Sequence, residues 1–265
     1  MKKYFDMETY TPKVSIITAV FNGFPFLEKT IKSILSQSYS SIEYIIIDGN
    51  SSDGTLDIIK KYSSQLTYWV SEPDKGIYDA WNKGLAKAGG DWIAFVGAGD
   101  ILHQQAIETY INELALSRKK VNYISSVVEV VDSQYRPRQS IGSAWEWLKM
   151  KKFMNIAHVG SLHSKELFLQ YGLFDISYKI AGDYAFFLKI GCRLNALFIE
   201  KTLAQMVDGG ASTDQRVFAE VLKAKIINKI APKYILYFQY YIQLIRYSVK
   251  SIVYKTTGIA IQLKK

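Results

Sequence analysis

The sequence predicts an α/β fold on a mixed, mostly parallel central sheet, followed by an amphipathic helical tail. Three observations carry this: β-branched runs alternate with amphipathic stretches from Val14 onward, the loops between them are built of Gly, Asn, Ser and Asp, and the charge changes character at Arg216. Alternation of that kind marks parallel strands joined by crossover helices. The chain has 265 residues, 49% of them hydrophobic and 14% aromatic. That allows one large domain with an appendage and excludes disorder as its main theme.

The elements follow in order. VSIITAV (14–20) is a strand, and FPFLEKTIKSILSQ, after Asn22-Gly23, is a helix with Leu27, Ile31, Ile34 and Leu35 on one face. IEYIIID (42–48) is the second strand, and Gly54-Thr55 opens a helix through Tyr62. LTYWVS (66–71) is the third strand, IYDAWNKGLAKA (77–88) the third helix, and Trp92 to Val96 the fourth strand, which ends in Gly97, Gly99 and Asp100. Further on, one helix ends at Tyr171 and AFFLKIG forms another after Asp183.

In open α/β sheets, ligands gather outside the carboxyl ends of the strands. Those ends carry Val20-Phe21-Asn22, the run Asp48 to Gly54, Glu72 to Gly76, and Gly97-Ala98-Gly99-Asp100, so three of the four loops bring a carboxylate to one rim. Asp48 and Asp53 taken singly are ordinary turn and cap residues. Repetition at consecutive strand ends favours a shared site. GxxxxGK[ST] does not occur and the first turn lacks GxGxxG, so neither a P-loop nor a standard dinucleotide fold is supported. A rim of carboxylates repels phosphate unless a divalent cation lies between them, so the rim points to a metal-bridged nucleotide.

Of the formal charge of +9, residues 1–216 carry +1 and residues 217–265 carry +8, from nine basic residues and one acid, Glu220. The apolar run from Tyr234 to Ile245 is too short to span a bilayer, which takes about 20 residues. A basic helix rich in Tyr, Phe and Ile suits the headgroup region of a membrane. Packing back on the body, or an oligomer seam, is the alternative. Nucleic-acid binding is not supported, because the tail lacks an RNA-binding signature and is too aliphatic for phosphate tracking. The single cysteine, Cys192, forms no internal disulfide, and the charged N-terminus does not resemble a secretory signal, so a cytoplasmic protein is expected.

The ordered run VSIITAVFNG, IIIDGNSSDGT, SEPDKGIYDAWNKG and IAFVGAGD resembles glycosyltransferase family 2, inverting enzymes of GT-A fold, over residues 13 to about 212. The stretch 158–190 is similar to the acceptor-side segment of bacterial members that build surface polysaccharides and O-antigens. The resemblance implies a nucleotide-binding half (13–100) fused to an acceptor-binding half (101–216), after an extension (1–12) and before the tail (217–265). It implies that Val20 and Asn22 line a nucleobase pocket and that Asp48 accepts a hydrogen bond from the ring nitrogen, a geometry that uracil satisfies. Asp74 and Lys83 match positions near the donor sugar and phosphates. The family's DxD-type metal motif reads Gly97-Ala98-Gly99-Asp100 here, its first acid replaced, which leaves Asp100, beside Gly99, as the one protein carboxylate for Mg²⁺ or Mn²⁺.

Transfer of a sugar requires a base to free the acceptor hydroxyl of its proton. The resemblance assigns that role to Asp183, with Gly182 where the first acid of a frequent pair would stand. Its plain alternative is a helix N-cap. Asp175 is the rival base, and also reads as a turn residue. His158 and His163 are contact candidates that read equally as structural, and Trp145 and Trp147 either stack on an acceptor sugar or pack in the core. The implied partners are a nucleotide-sugar donor, a glycan acceptor on a polyprenyl diphosphate, and the anionic inner face of the cell membrane reached through the tail. A nucleotide-sugar-binding module without catalysis is the alternative function.

Overall fold

Alternation along the strands sets the architecture. In a computed structural model, which describes residues 11–154, 156–209 and 214–257, β1 (Val14–Val20) turns Val14, Ile16 and Val20 to one face and Ile17 to the other. β2 (Ile42–Asp48) opposes Tyr44 and Ile46 to Ile45 and Ile47, and β4 (Trp92–Phe95) opposes Trp92 and Ala94 to Ile93 and Phe95. Both faces are buried, which is why these strands read as nearly continuous apolar runs. Most of the extension 1–12 and the last eight residues lie outside the described residues.

Four strands in the order β3 (Tyr68–Ser71), β2, β1, β4 pair in parallel. β8 (Leu162–Ser164) then runs antiparallel to both β4 and β6 (Tyr123–Val131), and β9 (Ala196–Val207) lies parallel to β6. β5 (Ile101–Leu102) closes the far edge antiparallel to β9, and β7 (Pro137–Ile141) folds back on β6. The sheet is mixed and mostly parallel, as expected.

The helices sort by face. α1 (Leu27–Leu35) and α4 (Ala106–Leu116) cover one side through Leu27, Ile31, Ile107 and Tyr110. α1 starts at Leu27 and not at Phe24, because the residue before Pro25 is disfavoured in helical conformation; Leu35 is half-buried at its end. α2 (Thr55–Tyr62) matches its expected bounds. α3 (Ile77–Leu85), α6 (Lys165–Tyr171) and α7 (Gly182–Ile190) cover the other side, with short α5 (Trp147–Met150) beside them. α3 stops three residues early, where the chain tightens and the Lys87 N–H donates to the Gly84 carbonyl three residues back. A Cβ on Gly84 would sit 2.5 Å from Ile17 Cγ2, so α3 lies backbone-close on β1. The core on this side is aromatic: Tyr78, Trp81, Phe95, Phe174, Phe186 and Phe187.

The basic tail is two helices of different burial. α8 (Arg216–Ile227) lies on the body: Ala224 and Lys225 are buried, and Val217 and Val221 pack against the aromatic core. Lys225 Nζ donates to the Lys152 carbonyl at 2.7 Å, and burial pulls its pKa down. α9 (Lys233–Thr257) buries Leu236 and sets Tyr247 edge-on to Phe218 of α8 at 5.7 Å. Its other face is open, with Tyr234, Phe238, Tyr241 and Ile245 between 58% and 75% exposed.

Candidate active site

The carboxyl ends of β1, β2, β3 and β4 form one rim, as the parallel order requires. Asp48, the last residue of β2, is fully buried. Its Oδ2 accepts from the Ser51 N–H at 3.0 Å and from Ser71 Oγ at 2.5 Å, and its Oδ1 accepts from Ser51 Oγ at 2.5 Å. Asp48 therefore orders the loop between β2 and α2. Asn22, at φ +50°, stitches that loop to the end of β1: its Oδ1 accepts from the Ser52 N–H and its N–H donates to Ser51 Oγ. Val20 has its side chain in the core, against Gly23.

Sequence reading puts Phe21, between Val20 and Asn22, at the strand end and assigns it no role. Phe21 is 65% exposed and lies beside Gly49, whose other neighbour is the Asp74 carboxylate. A Cβ on Gly49 would meet Asp74 Oδ2 at 2.5 Å. The signal available was an aromatic directly after a strand in a ligand-binding class of sheet. Asp74 Oδ1 accepts from the Gly76 N–H at 2.7 Å. Lys83 Nζ is tied to Glu72 at 2.8 Å and to the Pro73 carbonyl at 2.9 Å, so it braces the loop after β3.

After β4, the Gly97 to Asp100 turn is fastened to α1 by Thr30, whose hydroxyl donates to the Asp100 carbonyl at 2.8 Å and accepts from the Gly99 N–H at 2.9 Å. Gly99 sits at φ +104°, where side chains are strained, and its carbonyl accepts from the Tyr135 hydroxyl. The Asp100 carboxylate is buried under the turn, where it accepts from the Gly97 N–H at 3.1 Å and the Val207 N–H at 3.4 Å. No cation faces it among the described salt bridges, and burial pushes its pKa up to about 7. A buried carboxylate with long hydrogen bonds and no counter-charge fits a hard cation that takes one protein oxygen. Among the described residues no three His, Cys, Asp or Glu side chains cluster to hold a metal, so a cation at Asp100 would need most of its oxygens from outside the protein.

Asp183 stands in the first turn of α7, half-buried. Its Oδ1 accepts from the Tyr184 N–H at 2.8 Å and lies 3.1 Å from the Tyr78 hydroxyl, which is 2.7 Å from the Ile180 carbonyl. Burial, then the charge of Asp183, raise the Tyr78 pKa, so the phenol stays protonated, its single proton shared between the Ile180 carbonyl and Asp183 Oδ1. No described donor reaches Asp183 Oδ2. The Tyr78 ring also explains Gly182: a Cβ there would lie 2.7–2.8 Å from three ring atoms. Tyr78 belongs to α3, so the helix after β3 and the start of α7 meet at Asp183.

The other candidates separate by chemistry. Asp175 accepts from Ser177, which lowers its pKa, and so behaves as the turn residue. His163 is fully buried, and desolvation holds its pKa well below the usual histidine value. His158 stacks on Trp81 at 5.0 Å, and burial likewise lowers its pKa against the opposing charge of Asp183. The Nε2 atoms of His158 and His163 and Nε1 of Trp81 have no hydrogen-bond partner among the described residues. Trp145 lies 5.8 Å from Phe187 and 6.4 Å from Trp147, both indoles packing against the aromatic core.

With this geometry in view, the comparisons agree. The profile of glycosyl transferase family 2 matches residues 15–166. An uncharacterized glycosyltransferase of Mycobacterium tuberculosis is 30% identical over 187 residues, which cover 68% of this chain and 70% of that one. A PGL/p-HBAD biosynthesis glycosyltransferase of Mycobacterium bovis is 26% identical over 199 residues, covering 74% and 75%. Among solved structures, Staphylococcus aureus TarS 1–349 in complex with UDP-GlcNAc superposes with a TM-score of 0.67 at 16% identity, over 84% of this chain and 69% of that one. Against the longer TarS chain the match spans 41% of its length, with a TM-score of 0.64 at 18% identity. The mannosyltransferase PcManGT of Pyrobaculum calidifontis, in complex with GDP-Man and Mn²⁺, gives 0.63 at 18% identity, over 88% and 70%. These structural likenesses establish the GT-A fold.

Proposed function

The chain belongs to glycosyl transferase family 2, and on that premise we propose that it moves a sugar, with inversion, from a nucleotide-diphosphate sugar to a lipid-linked glycan of a bacterial surface polysaccharide. The donor is a UDP-hexose or UDP-N-acetylhexosamine, by analogy with the UDP-GlcNAc bound to TarS. The observation that carries the reading is Asp183, with one oxygen held by Tyr184 and Tyr78 and the other reached by no donor among the described residues.

The acceptor hydroxyl gives its proton to Asp183 Oδ2 as its oxygen bonds to the anomeric carbon. The bond from that carbon to the diphosphate oxygen breaks, its electron pair leaving with the nucleoside diphosphate, and attack from the opposite face inverts the centre. Protonated Asp183 returns the proton to solvent after product release. On the donor side, Val20, Asn22 and Asp48 build the floor of the nucleobase pocket and Phe21 offers it an aromatic face. Asp74 and Lys83, the latter through its brace on Glu72, shape the loop beside the sugar and phosphates. Gly99 lets the backbone approach the diphosphate, and Asp100 would hold Mg²⁺ or Mn²⁺. That ion, when bound, stabilises the charge on the leaving diphosphate.

The open face of α9 goes with this acceptor. Tyr234, Phe238, Tyr241 and Ile245 recur at helical spacing, on a segment whose basic residues give residues 217–265 a charge of +8. That combination complements the anionic cytoplasmic leaflet. No helix among the described residues is long and apolar enough to cross a membrane. The test of the donor assignment is calorimetry with UDP, GDP, dTDP and CDP, with and without Mn²⁺, on wild type and Asp100→Ala. Mn²⁺-dependent UDP binding that the variant loses is expected; no binding of any of the four would refute the donor site.

A further inference from the structure

We propose that Glu220, the lone acid of the basic tail, is a positioning residue for Asp183. This rests on the reading of Asp183 as the base.

A helix leaves its first backbone N–H groups without partners, and a side chain just before it normally supplies them. α7 has no such cap, because Ala181 stands at the cap position. The N–H groups of Ala181, at the cap position, and of Lys179 and Ile180, in the loop before it, turn to a residue 39 to 41 positions away, each donating to the Glu220 carboxylate at 2.8 Å. The approach to α7 is thus held by α8, while Asp183 Oδ1 takes the Tyr184 N–H of the first turn. Asp183 keeps Oδ2 for chemistry.

The anchorage of Glu220 is rigid on both sides. Val217, Val221 and Ala224 of α8 pack on the aromatic core that contains Tyr184, Phe186 and Phe187 of α7. From the opposite side the Tyr78 hydroxyl holds the Ile180 carbonyl, and Lys179 Nζ reaches the Lys75 carbonyl in the loop after β3. The segment 179–183 is clamped between the donor-side loop and the first tail helix. The one carboxylate among nine basic residues sits where it sets the base. α8 is then part of the acceptor half, and the separable part of the tail starts after Ile227.

The test measures transfer per folded molecule for wild type, Glu220→Gln, Asp183→Asn and the double variant, with nucleotide affinity taken alongside. Because misplacing a reacting group by about 1 Å costs about 100-fold, Glu220→Gln is expected to lower kcat by about that factor and leave donor KM unchanged. In the Asp183→Asn background Glu220→Gln should cost nothing more, since its effect runs through the base. A purely structural role would change melting temperature but not that non-additivity. Glu220→Asp keeps the charge and the fold but is one methylene short; it should lower kcat on the order of tenfold. Wild-type kcat in both Glu220 variants, or an equal loss in both backgrounds, overturns the proposal alone. A wild type that binds nucleotide yet turns over no donor overturns the base, and the proposal with it.

Discussion

Replacing Gly182 with alanine tests whether Asp183 is held by its contact with α3. The added Cβ would stand 2.7–2.8 Å from three atoms of the Tyr78 ring. Carbon atoms rest at about 3.5 Å or more, so ring and helix must part by about 0.8 Å. The Tyr78 ring is buried among Trp81 and Phe174 and has little room to withdraw, so the start of α7 moves. Overpacking of this kind costs about 1–3 kcal/mol, offset by about 1 kcal/mol from the better helix propensity of alanine. The net of about 0–2 kcal/mol lowers Tm by a few degrees at roughly 2–4 °C per kcal/mol. Displacement of the base by nearly 1 Å costs about 100-fold in kcat. A coupled assay of nucleoside diphosphate release, with melting curves on the same samples, separates the two effects. A variant that melts a few degrees lower but turns over at the wild-type rate would refute the argument that Tyr78 and Gly182 place Asp183.

Three further predictions concern Asp100, the metal and the tail. Burial raises the Asp100 pKa to about 7 from an unfolded value near 4, so the folded chain holds a proton through that window that the unfolded chain has lost. Stability of the metal-free protein therefore falls as pH rises from about 4 to 7, by up to roughly 1.4 kcal/mol per pH unit, and Asp100→Asn flattens the dependence in urea titrations. Mn²⁺ competes with the same proton, so Mn²⁺-dependent nucleotide affinity strengthens by up to about tenfold per unit toward pH 7 and levels off above it; a flat profile would remove Asp100 as ligand. Tyr234→Ser, Phe238→Ser and Tyr241→Ser together should release the protein from anionic vesicles in sedimentation while leaving nucleotide affinity intact. Unchanged sedimentation would assign α9 another partner.

The first four strands were legible to within a residue or two because burial on both faces writes a continuous apolar run, and their order placed the rim. The second half was less legible: β8 contributes three residues and β5 two, too few to show a period. At the site, the loop bonds of Asp48 to Ser51 and Ser71 were not legible in the sequence. Asp, Asn and Ser serve loops and ligands with the same hydrogen bonds, so sequence does not separate the two. Tyr78 and Asp183 lie 105 positions apart, and only the fold brings them to 3.1 Å. Gly182 was the visible trace of that contact, a missing acid whose place is filled by an aromatic ring. Glu220 read as an exception in a basic segment, and its neighbours in sequence carry no sign that it serves α7.

The central claim is that Asp183 takes the acceptor proton, and Asp183→Asn, which keeps shape and hydrogen bonding but not basicity, tests it most directly. Transfer from a UDP-sugar to a lipid-linked glycan should fall by about 10²- to 10⁴-fold while UDP binds as it does to wild type. An Asp183→Asn protein that transfers sugar at the wild-type rate would contradict the account, and would leave the chain as a family 2 fold whose base lies elsewhere.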